Sequence, residues 1–533
     1  MARLKLQGRL FAAFWLMLIA TFAPAQTYTD IYDLFQPTGS APGSPNAIAQ
    51  GLDANLYSTM PSSFPGEGTT VVSPVIGPVV ETHYFDGTDG YQPMSGLTLG
   101  MDGNFYGTTY IHSGTGPYGE VFQVTPTGTV TVLYGFSDTT DGEGPWAPPI
   151  MAADGNLYGV TQGSPSVAYR ILMPAGTFSV LANLPSNSIA PLIVGADGNF
   201  YGTTVKGGTF NEGTVFQLTK KGVLKIIYNF GANGTDGLTP DGALLQGEDG
   251  KLYGMTYWGG SVGLGTIYSM TTSGGAYKIL HNFTGSSDGS NPPATLVQGS
   301  DNFLYGATYF GGSLGDGVFF KMNTTGTNFK VIHAFDGKGS GGNPVSNLLL
   351  HTNGTIYGWA ATGPAEGCLY SMNVGLKPFA SLVVLNSGRV GTKVGIIGQG
   401  FTTATGVKFG TGTGTFTVVS DTYMTVAPAP GATTGKVTVL EPSGNLVTPQ
   451  TFKVTPSIKL FSPTSGTVGT AVIITGQSLT QTSAVKFGTV AAPFTVNSDT
   501  KVTATVPTGA VTGKISITTP GGMATSTTNF TVN

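Results

Sequence analysis

Seven copies of one tyrosine motif constrain this chain more than any other feature of its sequence. The pattern is G-x-D-G-x-Φ-Y-G, in which Φ is an apolar residue, and it recurs at intervals of 43 to 52 residues. Self-similarity at such a period is typical of repeat architectures, in which each copy is one small structural unit. The tyrosines of the seven copies are Tyr57, Tyr106, Tyr158, Tyr201, Tyr253, Tyr305 and Tyr357.

Each copy divides into four short apolar segments separated by turn residues. In the fifth copy they are GALLQG (242–247), KLYGMT (251–256), GTIYSM (265–270) and YKILHNF, which begins at Tyr277. Segments of this length bounded by Gly, Asp and Asn are typical of strands, and the Asp-Gly pair between the first two favours a tight hairpin. The 82 glycines, together with many Thr, Ser and Val residues, disfavour long helices. The expected fold class is therefore all-β.

The repeat length and the chain ends together predict a closed ring. Four strands per unit of about 50 residues is the pattern of a β-propeller blade. The seventh copy supplies three strands, whereas the segment YTDIYDLF (28–35) before the first copy resembles the fourth strands of the others. A ring in which the N-terminus completes the last blade would hide both free sheet edges. We predict a seven-bladed β-propeller over residues 28–374, with an open solenoid as the alternative.

A different repeat follows the propeller region. SGRVGTKVGIIGQGF (387–401) is echoed by SGTVGTAVIITGQSL (465–479), and VKFG occurs in both copies, always with an offset of 78 residues. Alternating apolar strands with Gly-rich turns over this length are typical of small β-sandwiches. The sequence predicts two immunoglobulin-like β-sandwiches, at 378–454 and 455–533.

Both repeats resemble known families. The pattern DGNLYGTT, followed by GG, GTVF and LT-x-G, resembles the GloVer-type tandem repeat of secreted bacterial choice-of-anchor proteins over most of 41–372. The third copy departs from that pattern, and the first lacks the glycine after Tyr57. The elements SG-x-VGT-x-V-x-I-x-G-Q and VKFG resemble IPT/TIG domains. The resemblances imply an extracellular protein whose C-terminal modules are spacers or adhesive modules, and they bring no catalytic residues.

Residues 1–25 have the composition of a signal peptide. Three basic residues precede the apolar run LFAAFWLMLIATF (10–22), and the small residues APA (23–25) follow it. The run is short for a membrane anchor, and the sequence has no second apolar span. We therefore expect cleavage before Gln26 and a secreted chain, free or associated with the cell surface, without a transmembrane anchor.

Charge and cysteine content narrow the expected partners. Loss of residues 1–25 would leave 20 Lys+Arg against 27 Asp+Glu, a net charge of −7. Binding of nucleic acid would favour a clustered basic face, so we expect no nucleic-acid partner. The single cysteine, Cys368, lies in the apolar run GCLYSM and is expected to be a buried thiol.

The recurring aspartate of the motif is a candidate active-site acid only when one copy is considered alone. A catalytic carboxylate usually needs one particular partner, whereas hairpin formation explains every copy, including the seventh, which has Asn353. We therefore interpret these aspartates as turn residues. They are Asp53, Asp102, Asp154, Asp197, Asp249 and Asp301.

Candidate metal ligands have a structural explanation as well. His83, His281 and His333 share one repeat position with Tyr134 and Tyr228, which indicates a packing ring with a polar tip. The acidic loops after the fourth strands offer the oxygen atoms that calcium prefers, but none has the spacing of a calcium loop that ends in glutamate. We expect no catalytic constellation, metal or cofactor, and calcium remains the alternative for these loops. They are 85–90, 136–144, 233–242 and 285–290.

The strand order points to one further surface. In an antiparallel four-stranded unit, the loops that join strands 2–3 and strands 4–1 leave the sheet at the same end, and both carry aromatic residues. Exposed aromatics on a polar rim can stack on sugars or bury partner side chains; the alternative is that they fill gaps between blades. The candidate rim residues are Tyr110, His112, Trp146, Tyr257, Trp258, Tyr309, Phe310 and Trp359.

Three functions are compatible with these patterns. The leading hypothesis is a secreted, non-enzymatic binding or adhesion protein whose rim contacts an extracellular glycan or a surface protein. Because propellers also support catalysis, a polysaccharide lyase or hydrolase that works at the same face is the alternative. A structural component of the cell envelope is the third.

Overall fold

The chain is all-β. The computed structural model describes residues 26–33, 47–61, 68–75, 77–110, 118–137, 140–363 and 367–533. Regular structure in these ranges consists of strands and one short 3-10 turn, Phe401–Thr403. The described ranges contain no helix that is long and apolar enough to cross a membrane. The predicted signal peptide, 1–25, lies outside them.

Six antiparallel sheets of four strands follow one another along the repeat region, and each carries one copy of the tyrosine motif in its first two strands. The strands of the first three sheets are Ala49–Gln50, Leu56–Met60, Thr69–Ser73 and Val80–Tyr84; Thr98–Leu99, Phe105–Thr109, Glu120–Val124 and Val130–Gly135; and Ile150–Met151, Leu157–Val160, Val167–Leu172 and Thr177–Asn183. Those of the next three are Ile193–Val194, Phe200–Thr204, Thr214–Leu218 and Leu224–Asn229; Leu245–Gln246, Leu252–Thr256, Thr266–Met270 and Lys278–Asn282; and Val297–Gln298, Phe303–Ala307, Val318–Asn323 and Lys330–Ala334.

The seventh sheet is built from both ends of the repeat region. Leu349–Leu350, Thr355–Thr362 and Cys368–Asn373 supply three of its strands, and Gly342–Pro344 also pairs with Thr355–Thr362. The N-terminal strand Thr27–Asp33 runs antiparallel to Cys368–Asn373 and takes the place of the fourth strand. Because of this pairing, Cys368–Asn373 has no open edge.

Apolar cores join each sheet to the next. Tyr57 of the first sheet and Phe105 and Phe122 of the second share one cluster, and similar clusters join the later neighbours. The last cluster joins Trp359 of the seventh sheet to Leu56 of the first. The succession of sheets therefore closes on itself. We call residues 27–373 the sheet ring.

A glycine after the tyrosine determines how closely the second and third strands pack. A Cβ atom on Gly202 would lie 2.5 Å from Cζ of its cross-strand partner Phe216. The first sheet has Ser58 at this position, and the partner there is the smaller Val71. The two residues vary together because their joint volume is limited. The other pairs are Gly107–Phe122, Gly159–Tyr169, Gly254–Tyr268, Gly306–Phe320 and Gly358–Tyr370.

The C-terminal region forms two modules with matching strand pairs. Ser387 pairs in parallel with Lys453, and Ser465 pairs in the same way with Thr531, each 78 residues later. Each module has its own apolar core. The first module contains Ser381–Val383, Ser387–Gly388, Val394–Ile397, Gly406–Phe409, Gly412–Val418, Tyr423–Pro428, Gly435–Leu440 and Leu446–Val454. The second contains Ser457–Ser462, Ser465–Gly466, Ala471–Gln477, Ala484–Phe487, Val490–Ala492, Phe494–Ser498, Lys501–Thr505, Gly513–Thr519 and Gly522–Val532.

The first module lies against one face of the sheet ring. This hairpin face is formed by the turns that join strands 1–2 and strands 3–4 of each sheet. The Thr422 hydroxyl donates to the Leu52 carbonyl at 2.7 Å, and Lys436 Nζ lies 2.8 Å from Glu248 Oε2. Further hydrogen bonds reach turns of the fourth and seventh sheets. The module therefore spans the centre of the ring on this side.

Candidate functional site

The aspartate and tyrosine of the motif form one hydrogen-bonded unit at the hairpin face. In the fourth sheet, Asp197 Oδ1 accepts the backbone N–H of Asn199 at 3.1 Å, and Oδ2 accepts the hydroxyl of Tyr201 at 2.8 Å. The equivalent hydroxyl bond is 2.8 Å in the other five sheets that have an aspartate. In the seventh, the side-chain amide of Asn353 donates to Tyr357 at 3.2 Å. Because the unit forms without a carboxylate there, its role is structural.

The pKa shifts in this unit agree with a structural role. Burial raises the pKa of Tyr201 to about 12, so the phenol stays protonated at neutral pH. Burial alone would favour the neutral form of Asp197, but the hydrogen bonds from Tyr201 and Asn199 outweigh it and lower the pKa of this carboxyl. A protonated phenol that donates to an ionised carboxylate is a stable charge-assisted pair. Neither group is poised to exchange a proton near pH 7.

The acidic loops after the fourth strands are closed by their own aspartates. Asp236 accepts hydrogen bonds from Tyr277 at 2.8 Å, from Tyr228 at 3.1 Å and from the backbone N–H of Gly231 at 2.9 Å. Asp288 bonds to His281 at 3.1 Å and accepts the backbone N–H of Thr284 at 3.1 Å. Within the described ranges, no three His, Cys, Asp or Glu side chains are grouped to hold a metal ion. The loop contacts explain these acids as turn residues.

The rings before these loops pack between adjacent sheets. His281 stacks on Phe329 with 3.9 Å between ring centroids, and Tyr228 stacks on Tyr277 at 4.0 Å. Burial lowers the pKa of His281, although its hydrogen bond to the Asp288 carboxylate opposes this shift. His and Tyr therefore have the same packing role at this repeat position.

The opposite face, which we call the loop face, is formed by the loops that join strands 2–3 and strands 4–1. Tyr257 and Trp258 make a T-shaped pair there with centroids 5.1 Å apart, and Tyr309 and Phe310 make another at 4.5 Å. Trp258 is 48% exposed and Phe310 is 46% exposed. Two adjacent sheets, the fifth and the sixth, thus present large apolar rings to solvent.

A third aromatic group on the loop face is less accessible. Tyr110 and Trp146 are half-buried, and their rings make a T-shaped contact with centroids 5.2 Å apart. Tyr110 belongs to the second sheet, whereas Trp146 comes from the loop that enters the third. Their contact bridges two sheets, which is the gap-filling role. His112 lies outside the described residues.

Trp359 is not a rim residue, and its inclusion among the candidates is wrong. It is 1% exposed and lies in the core that joins the seventh and first sheets. The rim tyrosines follow the motif tyrosine by four residues, but Trp359 follows Tyr357 by only two. Its strand, Thr355–Thr362, continues past it, and Ala361 occupies the position that corresponds to the rim.

The sequence interpretation missed a second row of apolar residues on the loop face. Phe210, Val262 and Leu314 are exposed, and each follows the motif tyrosine of its sheet by nine residues. They lie in the fourth, fifth and sixth sheets. Their constant distance from the tyrosine is the sequence signal that could have identified them. We call the set Phe210, Trp258, Val262, Phe310 and Leu314 the apolar strip.

A polar cavity lies on another part of the loop face. It has a volume of about 290 Å³ and is lined by Tyr110, Glu143, Gln162 and Asn187 together with two glycines. These residues come from loops of the second, third and fourth sheets. An aromatic ring beside carboxylate and amide groups offers both stacking and hydrogen bonding to a small polar ligand. Cavities of about 500 and 340 Å³ lie between the hairpin face and the first module.

Asp241 is a half-buried acid in the loop that enters the fifth sheet. Its Oδ1 is inaccessible to solvent and accepts no hydrogen bond within the described part of the chain. Burial raises the pKa of Asp241 to about 7, and the nearby Lys206 ammonium opposes this rise. Burial, and then the field of the Asp241 carboxylate, raise the pKa of Tyr257. The loop that carries Asp241 runs beside the aromatic pair, because Leu238 pairs with Trp258 and the Tyr257 N–H donates to the Thr239 carbonyl at 2.9 Å.

Three solved structures resemble the chain at low TM-scores. A surface glycan-binding protein from Prevotella bryantii is 18% identical over 27% of this chain and 38% of its own length, with a TM-score of 0.23. A fungal alcohol oxidase in complex with copper is 13% identical over 93% of this chain and 99% of its own, with a TM-score of 0.43. An oligogalacturonate lyase from Vibrio parahaemolyticus is 11% identical over 66% and 97%, with a TM-score of 0.44. These likenesses carry no argument about ligand or reaction.

Comparison with family models is more specific. No curated protein matches the chain. The IPT/TIG domain model matches residues 456–532, which is the second C-terminal module. The Gloeobacter/Verrucomicrobia repeat model matches twice, over residues 18–190 and 163–370, and the two matches together span more than half of the chain. The protein is therefore a member of the Gloeobacter/Verrucomicrobia repeat family.

Proposed function

We propose that the protein binds an extracellular glycan or surface protein through its loop face and catalyses no reaction. In this proposal the sheet ring is a seven-bladed β-propeller, and the two C-terminal modules are immunoglobulin-like spacers or docking arms. The protein would be secreted, either free or held at the cell surface. The observation that carries the proposal is the contrast between the faces: the first module covers the hairpin face, whereas the loop face presents the apolar strip.

The apolar strip has the properties of a preformed binding surface. Exposed apolar groups that recur in three adjacent sheets mark an interaction site more than scattered ones do, and flat aromatic rings suit the faces of sugar rings. The local backbone is firmly held. Trp258–Gly259 pairs with Gly237–Leu238, and the Asn291 side-chain amide donates to the Tyr257 carbonyl at 3.0 Å. A rigid platform loses little conformational entropy on binding.

A glycan array with matched variants tests the proposal. We expect the wild-type protein to bind at least one glycan, and a Trp258→Ala/Phe310→Ala double variant to bind it about tenfold or more weakly, since two stacking platforms are lost. Tyr84→Ala is the control, because Tyr84 is an exposed aromatic on the outer strand of the first sheet. Equal loss in the control and the double variant would contradict the assignment to the loop face.

A polysaccharide-active enzyme at the same face is the second candidate, and Asp241 is the observation that favours it. A carboxyl with a pKa of about 7 can act as a general acid near neutral pH. Hydrolysis usually requires a second carboxylate at a defined distance across the scissile bond. Release of soluble sugar from a polysaccharide by the wild type, and its loss in an Asp241→Asn variant, would favour this candidate over simple binding.

A further inference from the structure

Asp241 is the only acid at its repeat position among the described sheets. The residue twelve places before the motif tyrosine is apolar in the five other sheets where it is described, and only the fifth sheet has an acid there. The fold therefore does not require a carboxylate here. The equivalent residues are Met94, Trp146, Ile189, Pro293 and Val345.

The backbone on both sides of Asp241 contacts neighbouring strands and sheets. Thr239 has a φ of 56°, a left-handed conformation that a β-branched residue rarely adopts. Its carbonyl accepts the N–H of Tyr257 at 2.9 Å, which ties the loop to the aromatic pair. On the other side, a Cβ atom on Gly242 would lie 2.5 Å from the carbonyl oxygen of Ala294 in the sixth sheet. Asp241 is held between these two contacts.

The carboxylate has charged and titratable neighbours, but the described residues leave its buried oxygen without a donor. Lys206 faces it from the fourth sheet, and the Lys206 ammonium already donates to Glu212 at 3.2 Å. Burial raises the pKa of Tyr257 in the fifth sheet, and the charges of Asp241 and Tyr309 add to this rise. A buried acceptor without a partner destabilises a fold. Its presence where the other sheets have apolar residues is the pattern expected when function opposes stability.

We propose that Asp241 is the specificity-determining residue of the loop face, where its carboxylate accepts hydrogen bonds from hydroxyl groups of a neutral glycan that stacks on Trp258. This inference rests on the proposed function, and it narrows the ligand from any extracellular partner to one class. Oδ1 is enclosed, but the side chain is only half-buried, so Oδ2 is the oxygen that a sugar hydroxyl can reach. Charge-assisted O–H···O⁻ bonds are stronger than neutral ones. The adjacent ring supplies the apolar contact.

The charge of the loop face favours a neutral glycan over an anionic one. Acidic side chains outnumber basic ones in its described loops, so a polyuronate would be repelled. The acids are Asp86, Asp89, Asp141, Glu143, Glu212, Asp236, Asp241, Asp288, Asp316 and Asp336, and the bases are Lys206 and Lys338.

Binding of the full chain to neutral glucans and to polygalacturonate tests this inference. Asp241→Ile places at this position the residue that the fourth sheet has at Ile189, and Asp241→Asn keeps the shape of the side chain. We expect both variants to bind the neutral glycan about tenfold or more weakly than the wild type. Asp86→Asn, which removes an exposed acid of the same face in the loop that enters the second sheet, should bind within about twofold of the wild type.

The outcomes separate this inference from the proposed function. If the wild type binds a neutral glycan and Asp241→Ile binds it equally well, the assignment of Asp241 is overturned and the binding face stands. If polygalacturonate is preferred, or if the wild type releases sugar in an Asp241-dependent manner, the neutral-binding assignment is overturned. If the wild type binds no glycan while the double variant of the apolar strip loses a protein ligand, the glycan class itself is wrong.

Discussion

The two faces of the sheet ring differ in how far their residues repeat from sheet to sheet. At the hairpin face, Asp197 and Tyr201 form the same 2.8 Å hydrogen bond as their five aspartate-containing counterparts, and the first module covers the turns. At the loop face, the residue five positions after the motif tyrosine is Lys206 in the fourth sheet and Trp258 in the fifth. Residues that recur in every copy hold the units together, whereas residues that change from copy to copy are free to serve a ligand. The repeated motif is thus the least informative part of the chain about function.

The largest effect should separate two of the three tryptophans proposed from sequence as rim residues, Trp359 and Trp258. Trp359→Ala removes a buried ring from the junction of the seventh and first sheets and should lower the free energy of unfolding by about 4 kcal/mol. Trp258→Ala removes an exposed ring and should change it by less than about 0.5 kcal/mol. Urea denaturation followed by fluorescence measures both. Similar losses in the two variants would contradict the distinction between core and loop face.

The second largest loss of stability is expected where the second and third strands of a sheet approach closely. Gly202→Ala should cost about 2 kcal/mol because its Cβ would clash with Phe216. The Gly202→Ser/Phe216→Val double variant recreates the Ser58–Val71 pair of the first sheet. We expect the double variant to lose less stability than the sum of the two single variants, by about 1 kcal/mol or more. Simple additivity in this double-mutant cycle would show that the two residues do not share limited space.

The hydrogen-bonded unit of the hairpin face predicts a difference between two substitutions of one residue. Asp197→Ala removes the acceptor of both the Tyr201 hydroxyl and the Asn199 N–H and should cost about 2 kcal/mol. Asp197→Asn should cost less than about 1 kcal/mol, because Asn353 holds the tyrosine in the seventh sheet. Thermal unfolding of the two variants checks the order. A larger loss for Asn than for Ala would contradict the turn interpretation.

On the loop face, removal of an acid should stabilise the protein. Asp241→Ile should raise the free energy of unfolding at pH 8 by about 1 to 2 kcal/mol, because it removes a buried acceptor without a partner in the described structure. The folded-state pKa of about 7 exceeds the ordinary value of 3.8, so the folded wild type retains a proton that the unfolded chain releases between these values. Wild-type stability should therefore fall as pH rises from about 4 to 7 through this group, and remain constant above.

The gain from Asp241→Ile should accordingly be small at pH 4 and reach its full size above pH 7. Chemical denaturation at both pH values measures it, and Asp316→Asn is the control, with little change expected at either pH. A variant that is less stable than the wild type at pH 8 would show that Asp241 supports the fold.

Much of the fold could be predicted from sequence because repetition removes ambiguity. A single Asp-Gly between apolar segments is a weak signal, but seven turns at a near-constant spacing identify the first two strands of every sheet. The N-terminal segment resembles the fourth strands, and Thr27–Asp33 does pair with Cys368–Asn373. The offset of 78 residues likewise gives matching strand pairs in the two C-terminal modules.

The candidate site was harder to predict, because it depends on register and on contacts between distant residues. Trp359 was misplaced because the second strand of the seventh sheet continues where other copies begin a loop. Asp241 was one of two acids in 233–242, and only alignment of the loops shows that its position is otherwise apolar. The hydrogen bond from Thr422 to the Leu52 carbonyl joins residues 370 positions apart and leaves no side-chain pattern in the sequence.

Amide hydrogen exchange of the full chain, with and without the glycan that it binds on the array, tests the central claim most directly. Backbone amides in the loops 257–265 and 309–317 should exchange more slowly in the complex, because the ligand covers the apolar strip. The hairpin turn at 247–252, beneath the first module, should exchange at the same rate in both states. Protection at that turn or in the first module, with no change in the two loops, would contradict the assignment of the loop face as the binding face.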